Sequence, residues 1–200
     1  MKKVLFLTSH LFSGSSAYFD ILNLNHRIQG HRLEMAYGSP HAYKHLTDNR
    51  HKLNTRAAVW MDELLFSHLF STESFYSGGK FIYIVRDPIP TLNGIVSHHK
   101  YSPEGATRYY CYRLGRICEM AKRTPGAILL LWEDLQTGRF NEEVGKYLNL
   151  KTNILNSSNY FEAYQKESPD VIPTEMKKWA ERSYERHLYF LKKQNLRYWK

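Results

Sequence analysis

The chain has little cysteine, no long apolar run and a shortage of acidic side chains. Its two cysteines among 200 residues, Cys111 and Cys118, are too few for a disulfide framework. With no C-x-x-C pair, a zinc knuckle is excluded as well. Seven positions apart, they fall on one helical face and read as two buried thiols in a reducing compartment. No stretch approaches the roughly 20 apolar residues of a membrane span, and the apolar run in the opening MKKVLFLTSH is too short for a signal peptide. The expectation is a soluble, cytoplasmic chain starting at Met1. Asp and Glu total 19 against 28 Lys and Arg, a net charge of +9. That excess predicts an anionic partner: nucleic acid, an anionic membrane face, a phosphorylated cofactor or an acidic polymer.

Two nucleotide signatures are also missing. There is no G-x-x-x-x-G-K-[ST], so the lysine that would reach the β and γ phosphates of ATP is absent, and there is no G-x-G-x-x-G dinucleotide fingerprint. Both absences argue against an ordinary ATPase and a nicotinamide enzyme.

What is present suits one compact domain over 1–200, with 42% apolar and 14% aromatic residues. Val4–Thr8, Phe81–Val85 and Ala127–Trp132 are continuous apolar runs, the pattern of strands covered on both faces. A fourth strand is expected over Arg56–Met61, followed by a helix through Leu64, Leu65, His68 and Leu69. Tyr18, Ile21, Leu22 and Asn25 repeat at helical spacing, with Gly30 as a stop. Tyr110, Leu114, Ile117, Cys118 and Ala121 repeat it again before Pro125-Gly126. Residues 32–55 read as loops and short helices outside the sheet, and a long basic amphipathic helix is expected from Pro173 through Leu191. Strand alternating with helix gives the fold class: α/β, a parallel sheet flanked by helices.

The first strand leads into His10-Leu11-Phe12-Ser13-Gly14-Ser15-Ser16 and then at once into a helix. Glycine allows close backbone approach, the serines add donors, and the helix N-terminus favours an anion. A tight turn with a serine N-cap is the other reading of the same residues. The Phe81–Val85 strand ends in Arg86-Asp87-Pro88, placing a guanidinium at the carboxyl end of a strand, where open α/β sheets bind ligands. Such a group suits a phosphate, or closes a turn with Asp87. Glu133-Asp134 reads as a helix cap rather than a metal site. Tyr109, Tyr110 and Tyr112 read as core and flank, with contact to an adenine or a sugar as the alternative.

In these segments the chain resembles the sulfotransferase family. FLTSHLFSGSSAYFDIL is similar to the family's strand and S-G-[ST]-[ST] loop, KFIYIVRDPIPTLNGIVSHH to its strand ending in R-[DN]-P, and LLLWEDL to its E-D-L box; the basic last helix is compatible. The resemblance implies a P-loop-like fold binding PAPS (3′-phosphoadenosine 5′-phosphosulfate). Ser13, Gly14, Ser15 and Ser16 would hold the 5′ phosphosulfate and Arg86 the 3′ phosphate. Members commonly carry Lys or Arg before the S-G pair, where Phe12 stands here, and a serine eight residues after the arginine, where Gly94 stands. Asn93 and Ser97 flank that position and are its candidate substitutes.

The implied proton acceptor falls in one of two places. Phe66-Ser67-His68-Leu69 is loosely similar to the family's T-H-L-P segment, which selects His68; a second alignment selects Asp62 or Glu63. The implied activity is transfer of a sulfuryl group from PAPS to a hydroxyl or amine of a carbohydrate or other small or glycan acceptor, without a metal and without nucleic acid. Two rivals are a nucleotide-binding protein of the same fold that has lost turnover, which Phe12 suggests, and a basic nucleic-acid-binding protein.

Overall fold

The computed structural model describes residues 3–32, 59–65, 79–138, 140–150 and 168–197. Five strands form one parallel sheet: β1 (Lys3–Thr8), β2 (Ile28–His31), β3 (Val59–Leu64), β4 (Lys80–Val85) and β5 (Ile128–Leu131), in the order β2-β3-β1-β4-β5. All four pairings are parallel, and β1 at the centre aligns Phe6 with Asp62 on one side and Phe81 on the other. The described helices are α1 (Ser15–Asn23), α2 (Pro88–His99), α3 (Pro103–Ala121), α4 (Trp132–Thr137), α5 (Asn141–Leu148) and α6 (Thr174–Lys193).

The continuous apolar runs follow from helices on both faces. Successive strand side chains point to opposite sides. Phe6, Phe81, Tyr83, Val85 and Leu129 pack with Leu92 and Ile95 of α2, Tyr110, Leu114 and Ile117 of α3, and Leu191 of α6. Leu5, Leu7, Ile82, Ile84 and Leu130 pack on the other side with Tyr18, Ile21 and Leu22 of α1, Leu135 of α4 and Val144 of α5. Each fully buried Leu, Ile or Phe contributes about 1.5–3 kcal/mol, so neither layer is dispensable.

Four expectations need correction. β2 is a strand although it carries only IQGH, and Gly30 lies inside it rather than stopping a helix; a Cβ there would sit 2.5 Å from the Phe19 ring. The helix before it ends at Asn23, short of Asn25. β3 runs on to Leu64, which is buried in the sheet and not in a helix. Residues 56–58 and the expected helical positions His68 and Leu69 lie outside the described residues, as do most of 32–55. Trp132 opens α4 instead of ending β5, because Asp134 Oδ2 accepts the Leu131 amide at 2.9 Å and turns the chain. Beyond α6, residues 194–197 return to β5: Arg197 forms a parallel bridge with Ile128, its N–H reaching Ala127 O at 2.8 Å and its carbonyl accepting from Leu129 N at 2.9 Å.

Candidate active site

The loop joining β1 to α1 is built for one glycine. Gly14 has φ 89°, and a Cβ added to it would lie 2.1 Å from the Trp132 ring, so both backbone and space require the residue. The serines are wired inward. Ser9 Oγ donates to Ser15 Oγ at 2.7 Å, Ser15 Oγ donates to Glu63 Oε1 at 2.5 Å, and Ser16 Oγ donates to the same oxygen at 2.9 Å. Ser13 Oγ accepts from the Ser15 amide at 3.2 Å. Glu63, next to the end of β3, is 1% exposed. Burial pushes its carboxyl above the ordinary glutamate range, against the Ser15 and Ser16 bonds and Arg32, whose Nε lies 3.5 Å from Oε2.

Arg86 is anchored by its backbone, which frees its side chain. Its N–H donates to His10 Nε2 at 3.1 Å, and Tyr110 OH donates to its carbonyl at 2.7 Å. His10 Nδ1 lies 2.9 Å from Leu11 O, so Nδ1 carries the hydrogen and Nε2 is the acceptor. Burial lowers the His10 pKa from 6.5 to about 4, which keeps the ring neutral. The guanidinium stacks 4.2 Å over Trp132, and Nη1 donates to Phe12 O at 3.3 Å. Its Nε is buried with no hydrogen-bond partner among the described residues.

A second arginine holds the strand ends. Arg113 of α3, 1% exposed, donates from Nε to Ser9 O and from Nη2 to Leu64 O, both at 2.7 Å. Tyr109 OH accepts from Leu11 N at 3.0 Å and donates to Leu65 O at 3.1 Å. These bonds set the spacing between the ends of β1 and β3.

A cavity of about 260 Å³ opens at these carboxyl ends, where ligands bind in open α/β sheets. Gly14, Ser15, Ser16 and Arg86 line it with Trp132, Phe12 and His99. The other candidates lie elsewhere. Asn93 is buried and its side chain is spent on Asp170 Oδ1 at 3.4 Å and the Val171 amide at 3.2 Å, while Ser97 is exposed; neither lines the cavity. Ser13 is buried within the loop, and Glu63 stands behind Ser15 and Ser16 without lining the cavity. Asp62 is on β3, paired in register with Phe6 and His31, but its side chain lies outside the described residues, as does His68 altogether.

Sequence reasoning missed Trp132, His99, His10 and Arg113 as parts of this site. Only Arg113 left a signal, a charge on the apolar stripe of Tyr110, Leu114 and Ile117.

No family model matches the chain, and no curated protein matches it in sequence. Solved structures do. The chain is similar to the mouse sulfotransferase SULT7A1 complexed with PAP, at 13% identity and a TM-score of 0.58, covering 88% of this chain and 72% of that one. It is similar also to a sulfotransferase from Alicyclobacillus acidocaldarius, at 10% identity and a TM-score of 0.58, covering 96% and 95%. The fold is that of the sulfotransferases.

Within the sulfotransferase fold, the two departures at Phe12 and Gly94 are one packing unit. The Phe12 backbone has φ 59°, and its ring stacks 5.4 Å from His98 and edge-on 5.6 Å from His99. It thereby lies over Gly94. Among the described residues no group of three or more His, Cys, Asp or Glu is placed to hold a metal ion, and no helix is long and apolar enough to cross a membrane.

Proposed function

We propose that the protein is a sulfotransferase that moves a sulfuryl group from PAPS to a hydroxyl or amine on a small-molecule or glycan acceptor. The observation that carries this reading is the Arg86 Nε, buried without a hydrogen-bond partner among the described residues, beside a cavity that Arg86, Ser15 and Ser16 line. An unmet guanidinium N–H costs about 1–3 kcal/mol, and an anion in the cavity removes that cost.

Arg86 holds the 3′ phosphate, flanked by Trp132. Ser15, Ser16 and the first amides of α1 hold the 5′ end, with Gly14 permitting the approach and Ser13 keeping the turn. PAPS supplies a sulfuryl group on a phosphate leaving group. Charge developing there falls on preorganised donors, the arrangement that lowers such barriers most. Asn93 and Ser97, candidates for sharing the 3′ phosphate, are not given that role, since Asn93 ties α2 to residues 170–171.

The acceptor's proton needs a base. Among the described residues lining the cavity, His99 carries the imidazole, the side chain that most often serves as a general base. Glu63 orients the two serines. His68 and Asp62 are the rival bases, and the variants His99→Ala, His68→Ala and Asp62→Asn decide among them: the true base loses turnover while nucleotide affinity stays.

Calorimetry with 3′,5′-adenosine bisphosphate at low salt tests the first step, and no binding overturns the proposal. Transfer of radiolabelled sulfate from PAPS to an acceptor panel tests the second. Binding without transfer supports the rival reading motivated by Phe12, a nucleotide-binding protein without turnover.

A further inference from the structure

Two of the longer helices form a second concave surface that the reactive cavity does not use. α3 and α6 run side by side in the same direction: Cys111 meets Ser183, Cys118 Sγ lies 3.6 Å from His187 O, and Lys122 Nζ lies 5.0 Å over the Phe190 ring. Between them opens a groove of about 600 Å³, within the range of ligand sites. Arg108, Tyr112 and Arg116 of α3 line it, facing Trp179, Arg182 and Arg186 of α6. Four arginines thus meet one glutamate, Glu119.

Their states of pairing differ. Arg108 is bonded to Glu104 at 2.7 Å and Arg116 to Glu119 at 2.6 Å. Arg182 and Arg186 make no ion pair and no side-chain hydrogen bond among the described residues. Trp179 is 48% exposed and Tyr112 55%, the Tyr112 ring lying 5.5 Å from the Arg116 guanidinium, so the groove presents aromatic surface among its arginines. Leaving large rings exposed is costly unless something covers them.

The Arg108 end of the groove lies toward the end of the sheet where the cavity opens. Arg108 precedes Tyr109, whose hydroxyl accepts from Leu11 beside the phosphate loop, and Arg116 lies two helical turns further on, about 12 Å. One extended anionic molecule can therefore have a hydroxyl in the cavity and charged groups along the groove. Guanidinium forks match sulfate and carboxylate oxygens in pairs, and flat aromatic rings offer the apolar surface on which a sugar ring packs.

Building on the sulfotransferase reading above, we propose that this groove binds an anionic polysaccharide, the flanking part of the acceptor. A single-stranded polynucleotide would also satisfy arginines and rings. It would not explain why the basic track has one end toward the transfer cavity.

The test compares the full chain with the double variant Arg182→Ala/Arg186→Ala, both exposed positions. The probes are dextran sulfate, uncharged dextran, an oligothymidylate and polyglutamate, and 3′,5′-adenosine bisphosphate is titrated in parallel. The expected result is salt-sensitive binding of dextran sulfate, none of dextran, and a loss of about tenfold in the variant, the scale of two exposed charge contacts. Unchanged dextran sulfate affinity in the variant overturns the proposal. So does tighter binding of oligothymidylate or polyglutamate through the same arginines. If the bisphosphate binds both proteins alike while the variant keeps dextran sulfate, the groove assignment alone fails. If the bisphosphate binds neither while dextran sulfate binding still depends on these arginines, the groove is an anionic-glycan site and the sulfotransferase reading fails.

Discussion

The ring of Phe12 fills the space that any side chain at residue 94 would need: a Cβ on Gly94 would lie 2.6 Å from Phe12 Cδ1. One residue belongs to the phosphate loop and the other to α2, so each limits what the other can be. Gly94→Ser alone is expected to destabilise by about 1–3 kcal/mol, the usual cost of overpacking. In Phe12→Ala the space is vacant, and the same substitution should cost markedly less. Denaturant melts of the two singles and the double read the coupling, and strict additivity would show that the contact carries no energy.

Arg86→Ala should weaken 3′,5′-adenosine bisphosphate binding by about 1.5–3 kcal/mol, the scale of hydrogen bonds to a charged group. Arg86→Lys keeps the charge but lacks the fork that matches phosphate, so it should recover only part of the loss. Calorimetry decides, and equal affinity in all three proteins places the 3′ phosphate elsewhere.

His10 ties stability to pH. Its pKa falls from 6.5 in the unfolded chain to about 4 in the fold, so the unfolded state takes up a proton first on acidification. The stability it contributes is full above 6.5 and is lost progressively as pH drops toward 4. Glu63 has the opposite sign: its raised pKa favours the fold below the ordinary glutamate range, and that contribution is lost as pH rises through the folded value. His10→Gln should flatten the slope between pH 6.5 and 5 and leave the Glu63 contribution in place. Chemical denaturation at several pH values measures both.

Gly14→Ala meets two penalties at once, a left-handed backbone and the Trp132 ring. We expect loss of about 1–3 kcal/mol in stability together with loss of nucleotide binding. Adding Trp132→Ala removes the clash but not the strain, and should restore only part of the stability. Full recovery would show that backbone conformation is not limiting.

Three strands were legible because helices cover them on both faces, so β1, β4 and β5 appear as unbroken apolar runs. β2 was not: four residues on a sheet edge, one of them a glycine forced by Phe19, carry no periodicity. The loop at Ser13–Ser16 and Arg86 could be singled out because each follows a strand directly. His99 and Trp132 could not, since what brings them to the cavity is the packing of α2 and α4 over the strand ends. The contacts of Asn93 were not legible for a similar reason. Its partners, Asp170 and Val171, lie 77 and 78 residues away, and no local spacing encodes that contact.

Residues 194–197 run beside the start of β5, where Asn195 O accepts from Gly126 N and Arg197 takes up Ala127 O and Leu129 N. They act as a guard strand. Ending the chain after Lys193 would strip this protection and leave β5, an apolar strand, with open backbone groups that a neighbouring molecule can pair with. The shortened protein should then self-associate as its concentration rises, while retaining the loop and Arg86 that bind nucleotide.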